Sequence, residues 1–188
     1  MKVVLAPDSF KGTLAAADVA TALRDGWLAV RPRDEIELRP MADGGEGTLD
    51  AVAGALPLAE WMPITVAGPV GEPIEAYWLL LPPDDDSPGG TGVVELASTC
   101  GIELLRGHLE PWNSSTAGFG QAVNAALEHG VTKLLLGIGS SASTDGGVGF
   151  LHALGARFET ESGSLIPPGA AGLKDLARVD FSGLRPMP

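Results

Sequence analysis

The glycines of this chain are gathered rather than spread. Of 26 in 188 residues, the densest groups fall at 44–47 and 137–149, each just after a short apolar run and just before a helical pattern. Such an order is what a buried strand turning into a helix requires, with glycine supplying the backbone freedom of the turn. In open α/β sheets these turns lie at the carboxyl edge of the strands, where ligands bind. The feature therefore fixes an α/β layer and marks where chemistry is to be sought.

A third junction, poorer in glycine, opens the chain. Lys2–Ala6 is an apolar run closed by Pro7-Asp8, followed by Ser9-Phe10-Lys11-Gly12-Thr13. Thr13 is the predicted cap of a helix reaching about Val30, because Ala16, Val19, Ala20, Leu23, Trp27 and Val30 recur at steps of three and four before Pro32. Glu35–Pro40 reads as a second strand and Thr48–Leu56 as a second helix. Strand, helix, strand, helix is the pattern of a parallel layer. Near residue 62 the pattern changes to hairpins: Ile64–Ala67 and Ile74–Leu81 are strands joined by a Gly/Pro-rich link. Val93–Ala97 is another strand, and Ala117–His129 a helix ended by Gly130. Lys133–Ile138 is an apolar strand, Val148–Leu154 a helix, and Ala156–Ile166 a hairpin turning near Ser162-Gly163. The expected fold class is α/β in two subdomains, residues 1–62 and 63–188, the second incomplete and containing the 137–149 loop.

Charge and cysteine content exclude several functions. Twelve Lys+Arg against 24 Asp+Glu give a net charge of −12, which argues against nucleic acid or an anionic membrane as partner. No apolar run approaches the roughly 20 residues of a bilayer span, and the N-terminal run is too short for a secretory signal. A single cysteine, Cys100, permits no internal disulfide, so a reducing cytoplasm is the expected location. His108, His129 and His152 have no zinc-type spacing, and no Gly-x-Ser-x-Gly elbow surrounds Ser140 or Ser141.

Each loop carries groups suited to an anionic ligand. In the first, Asp8, Ser9 and Lys11 sit at a predicted helix start, where a cation opposes the helix dipole unless an anion joins it; a solvated lysine on a plain βα turn is the alternative. In the second, Asp43-Gly44-Gly45-Glu46 offers close backbone approach and two carboxylates able to hold Mg²⁺ with phosphate oxygens; an Asp-Gly turn before a capped helix is the alternative. In the third, Gly137, Gly139, Ser140, Ser141, Asp145, Gly146 and Gly147 suggest a cradle of backbone N–H groups. Gly137-x-Gly139-x-x-Ala142, with Glu159 some 20 residues on, also matches the dinucleotide fingerprint, so an NAD-dependent oxidoreductase is one alternative and a non-catalytic small-anion-binding domain another.

Taken in order, Ala6–Leu14 (APDSFKGTL), Pro40–Thr48 (PMADGGEGT), Val66–Ala76, Ser114–Gly120 and Gly137–Gly149 (GIGSSASTDGGVG) resemble the type I glycerate kinase family. Ser141 and Ser143-Thr144 depart from the family's more usual Gly and Thr-Asn. The resemblance implies flavodoxin-like and restriction-endonuclease-like α/β domains with the site in the cleft between them. It also implies ATP-dependent phosphorylation of D-glycerate with Mg²⁺, commonly at the 2-hydroxyl. Family members run about as long again, so the chain is expected to be an N-terminal half, inactive alone and lacking its C-terminal partner half. On this reading Lys11 neutralises phosphate or carboxylate, Asp43 and Glu46 organise Mg²⁺, and Asp8 or Asp145 takes the hydroxyl proton. Ser9, Gly44, Gly45 and the 137–147 loop bind the anionic groups.

Overall fold

The computed structural model describes residues 1–188. The chain opens with β1 (Lys2–Leu5), α1 (Ala16–Val30) and β2 (Glu35–Leu38), and β1 and β2 pair in parallel from Lys2↔Glu35 to Leu5↔Leu38. Then come α2 (Thr48–Ala55), the hairpin β3 (Glu60–Ala67) and β4 (Pro73–Leu81), β5 (Thr91–Glu95) and the short α3 (Ala97–Cys100). α4 (Ala117–His129), β6 (Lys133–Gly137), α5 (Val148–Ala153), β7 (Arg157–Glu159) and β8 (Arg178–Asp180) complete it. The central sheet runs β3-β4-β5-β6, antiparallel except for the parallel β5–β6 pair, and β7–β8 form a small antiparallel pair. The result is a mixed α/β fold, as the sequence indicates. No helix is long and apolar enough to cross a membrane.

The main core lies between the central sheet and α4. Phe119, Ala122, Val123 and Ala126 recur at helical spacing and pack on Val66, Ala76, Trp78 and Val94 of the sheet. Fully burying a side chain of the larger kinds contributes about 1.5–3 kcal/mol, so this face holds the helix against the strands. Phe119 also stacks on Phe150 of α5 at 5.4 Å. Gly130, at φ 101, ends α4 as expected, its N–H reaching Ala126 and Leu127 carbonyls.

On the opposite face of the sheet, Leu49 of α2 packs with Leu79 and Val93. α2 thus belongs to the central sheet, while β1, α1 and β2 pack closely on no later strand or helix. Packing thus leaves a seam ahead of α2, at the 39–47 segment, one helix before the division expected near residue 62.

Three local expectations need correction. Thr13 does not cap α1: Phe10–Leu14 folds into a tight turn, with Thr13 and Leu14 N–H on the Phe10 carbonyl and Gly12 at φ 69, and the helix starts only at Ala16. Lys11 is therefore on a turn, several residues before the helix N-terminus. The strand predicted through Ala97 ends at Glu95, because Ala97–Cys100 coils back. Ala156–Ile166 does turn at Thr160–Gly163, but Leu165 makes only a single bridge to Glu159, and the paired return strand is β8. Glu159, accepting from Arg157 and Arg178, ties that longer return together.

Candidate active site

The second and third loops meet through their glycine backbones. Gly139 N–H donates to the Gly44 carbonyl at 2.7 Å. A Cβ on Gly139 would stand 2.7 Å from Gly45 N, closer than packed atoms allow, so only glycine lets the two loops touch. Gly137, which ends β6, faces Gly44 in the same way.

Glu46 joins all three loops. Its Oε2 accepts from Ser140 Oγ at 2.5 Å and its Oε1 from Ser9 Oγ at 3.3 Å. The Ser140 hydroxyl is the main reason its carboxyl lies below the usual range; Lys11 and Ser9 add smaller contributions. Ser140 reaches this position with φ at 56, an uncommon left-handed backbone for a residue with a side chain. Sequence-predicted Ser9, Glu46 and Ser140 are thus brought together.

Beside them, Asp43 Oδ1 accepts Gly45 N–H at 3.0 Å, and Lys11 Nζ stands 3.7 Å from Asp43 Oδ2. The Gly45 amide first, then the Lys11 charge, holds the Asp43 carboxyl below its ordinary value. Lys11 and Asp43 have 63% and 59% of their side-chain surfaces in water, so both are open to a ligand. Asp8 is exposed and turns its own loop by accepting Ser9 N–H at 2.7 Å.

A cleft of about 910 Å³ opens against these loops, lined by Ser9, Thr13, Glu46, Asp50 and Glu103 together with the first turn of α1. That turn has no side-chain cap, and the Gly44, Ser140 and Ser141 amides donate to no protein acceptor. Unspent N–H groups on loops 2 and 3, with a solvated lysine on loop 1, suit an anion. Asp50, Glu46 and Glu103 on the walls restrict that preference to the loop end.

The predicted cradle at 137–147 is split. Gly139 N–H is spent on Gly44, and Gly147 N–H on Asp145 at 3.1 Å. Gly146 is exposed, and Ser141 Oγ pairs with Ser143 Oγ. Asp145 does not stand as a base. It is 1% exposed and accepts from Thr116 N–H, Thr116 Oγ1, Ser115 Oγ, Gly147 N–H and Gly149 N–H. Its lone pairs are filled, and it pins the loop to the start of α4. The dinucleotide reading fails on geometry: α5 begins only at Val148, and Glu159 is engaged by two arginines. Cys100 is fully buried, and burial pushes its thiol up to about 11, so it is no nucleophile.

One residue escaped the sequence reading. Glu95 ends β5, is 5% exposed, and its Oε2 accepts Leu49 N–H at 3.0 Å. Burial pushes its carboxyl above the usual range, opposed by the Leu49 and Thr48 amides. The detectable signal was a carboxylate closing the apolar run Gly92-Val93-Val94.

Fold and loops together define an α/β protein whose three junction loops cluster at strand ends through Glu46. The chain belongs to the glycerate kinase family, whose model matches residues 3–188. It is 40% identical over 185 residues to "Glycerate kinase" of Bacillus subtilis (strain 168), covering 98% of this chain and 47% of that protein. It is 38% identical over 190 residues to "Glycerate 2-kinase" of Escherichia coli (strain K12), covering 99% and 48%. A crystal structure described as glycerate kinase 2 from Salmonella typhimurium LT2 superposes with a TM-score of 0.77 at 37% identity, over 98% of this chain and 48% of that one. The chain thus spans about half the length of the curated relatives it matches.

Proposed function

We propose that this chain supplies one half of the site of an enzyme that transfers the γ-phosphoryl group of ATP to D-glycerate, giving 2-phosphoglycerate. The observation that carries the reading is the convergence of three loops on Glu46, in a chain of the glycerate kinase family. Phosphoryl transfer asks for positioning and charge neutralisation more than for covalent chemistry. Lys11, solvated and near the unspent amides of loops 2 and 3, neutralises phosphate or the glycerate carboxylate. Ser9 orients a hydroxyl or phosphate oxygen. Asp8, exposed in the first loop, accepts the proton of the attacking hydroxyl, since Asp145 has no lone pair to offer.

The loops offer Mg²⁺ a partial donor set. No group of three or more His, Cys, Asp or Glu side chains gathers here, but Mg²⁺ takes one or two carboxylates when phosphate oxygens complete its shell. Exposed Asp43 fits that role. Glu46 fits it only by releasing the Ser140 hydroxyl, so it serves as the link between loops. When bound, the ion supplies charge neutralisation at the phosphates. A reducing cytoplasm suits the free, buried Cys100 thiol.

Because the relatives are about twice as long, turnover is expected to require a further region of the kind they carry. The test measures D-glycerate-dependent ADP release with ATP and Mg²⁺, and product position by ³¹P NMR. The 188-residue chain alone should fall far below the roughly 1–100 s⁻¹ usual for kinases. A relative-length protein carrying this sequence should turn over, and Lys11→Ala in it should lower kcat/KM by about 10²-fold or more. No glycerate-dependent ADP release there, or an unaffected Lys11→Ala variant, would overturn the reading.

A further inference from the structure

The helix that follows the second loop begins without a cap of its own. Its N-cap is Gly47, left-handed at φ 84, and no side chain of loop 2 caps the first turn. An eight-residue helix with open N–H groups is marginal by itself. The acceptor comes from a strand 46 residues away, as Glu95 Oε2 takes Leu49 N–H at 3.0 Å.

Glu95 stands where the two glycine loops join. The next residue, Leu96, donates its N–H to the Gly137 carbonyl at 2.8 Å, and Gly139 N–H reaches Gly44 at 2.7 Å. The first turn of α2 is also the wall between two cavities, with Asp50 lining both. On one side is the loop cleft with Glu46. On the other, a cavity of about 470 Å³ is lined by Glu95, Ser98, Glu75, Trp61 and Tyr77. No cationic side chain lines that second cavity, and Asp50 and Glu46 act on Glu95 as like charges. The helix amides alone therefore hold the Glu95 carboxylate in place.

We propose that Glu95 is a positioning residue of the loop site: from the far side of α2 it supplies the missing helix cap and so holds Glu46 in register with Ser9 and Ser140. It touches no reacting group and acts through the helix turn. Its bearing on phosphoryl transfer rests on the function proposed above, but the coupling itself does not. Removing the carboxylate should loosen the 43–52 segment first. The disturbance should then reach 138–142 by two links, the Glu46–Ser140 side-chain hydrogen bond and the Gly139 N–H to Gly44 carbonyl bond.

The test is amide exchange, read by mass spectrometry on the full 188-residue chain, for the native sequence, Glu95→Ala, Glu95→Gln, Glu46→Ala and the Glu46→Ala/Glu95→Ala pair. Exchange reports local opening separately for each segment. Glu95→Ala should speed exchange at 43–52 by about tenfold, a loss of about 1.4 kcal/mol, and at 138–142 several-fold, with α4 unchanged. Glu95→Gln keeps an acceptor without the charge, and charge-assisted bonds are roughly twice as strong as neutral ones, so its effect should be about threefold at 43–52. With Glu46 already removed, Glu95→Ala should still loosen 43–52 but affect 138–142 less, through the Gly44–Gly139 bond alone. Equal acceleration of every segment, an unchanged 43–52 segment, or a 138–142 response that removal of Glu46 leaves undiminished would each overturn the proposal. If Glu95→Ala does not fold, Glu95→Gln decides: a selective effect at 43–52 supports the assignment, and none overturns it. Turnover is not measured, so failure of the kinase reading leaves this result standing.

Discussion

Replacing Asp145 with alanine separates a structural anchor from a catalytic base. The carboxylate is 1% exposed and satisfies three backbone N–H groups, of Thr116, Gly147 and Gly149, besides the Ser115 and Thr116 hydroxyls. The hydroxyls can rotate toward other acceptors, but the amides cannot. An orphaned buried donor costs about 1–3 kcal/mol, so three of them give about 3–9 kcal/mol at face value. Gly147 is only half-buried and gains water, which brings the expected loss to the lower half of that range, about 3–5 kcal/mol. Against a typical total of about 5–15 kcal/mol, this is a large share. Asp145→Asn keeps one acceptor oxygen but turns an NH₂ group toward N–H donors, so about 2–4 kcal/mol is expected. Urea titration followed by far-UV circular dichroism measures both, with an unchanged slope certifying a pure stability effect. An alanine variant within about 1 kcal/mol of the native chain would refute the anchor. An asparagine variant of native stability that abolished turnover in a relative-length protein would return Asp145 to the role of base.

Other expectations follow from the same packing. Gly139→Ala should cost about 1–3 kcal/mol, since its Cβ meets Gly45 N at 2.7 Å, whereas Gly26→Ala, with nothing within 4 Å in the middle of α1, should stabilise by about 0.5–1 kcal/mol in the same urea titration. The Glu46 carboxyl is held below its ordinary value of 4.5 in the folded chain. Its contribution is therefore present above about pH 4.5 and lost as pH falls through the lower folded value. Thermal melts should show the native chain's advantage over Glu46→Gln shrinking from pH 6 to pH 3, and a constant gap would contradict the Ser140–Glu46 assignment.

What was legible in the sequence was whatever is encoded locally. The apolar spacing of α4 and its Gly130 stop are written in consecutive residues, and both appear as read. Thr13 misled because a hydroxyl ahead of a periodic run looks like a cap, while Gly12 beside it lets the chain close a tighter turn. The three junction loops were legible as loops between strand and helix, yet their internal division was not. Ser140 and Asp145 are five residues apart in similar polar glycine-rich surroundings, and only the tertiary contacts send one to Glu46 and the other to Thr116. Glu95 was missed because its partner amide lies 46 residues away, a separation no local pattern spans.

The seam ahead of α2 has a mechanical consequence. β1, α1 and β2 join the remainder through the segment 39–47, and the Ser9 hydroxyl reaches Glu46 of that segment at 3.3 Å, a long and weak bond. Left-handed Gly44 and Gly47 lie within that segment, at φ 90 and 84, and can absorb rotation with little strain. The expected motion is a swing of the N-terminal layer about that segment, which would change the width of the cleft of about 910 Å³. A ligand touching Ser9 on that layer and Asp50 on α2, both lining the cleft, would gain by narrowing it, and tight binding would then register in solution scattering as a smaller radius of gyration.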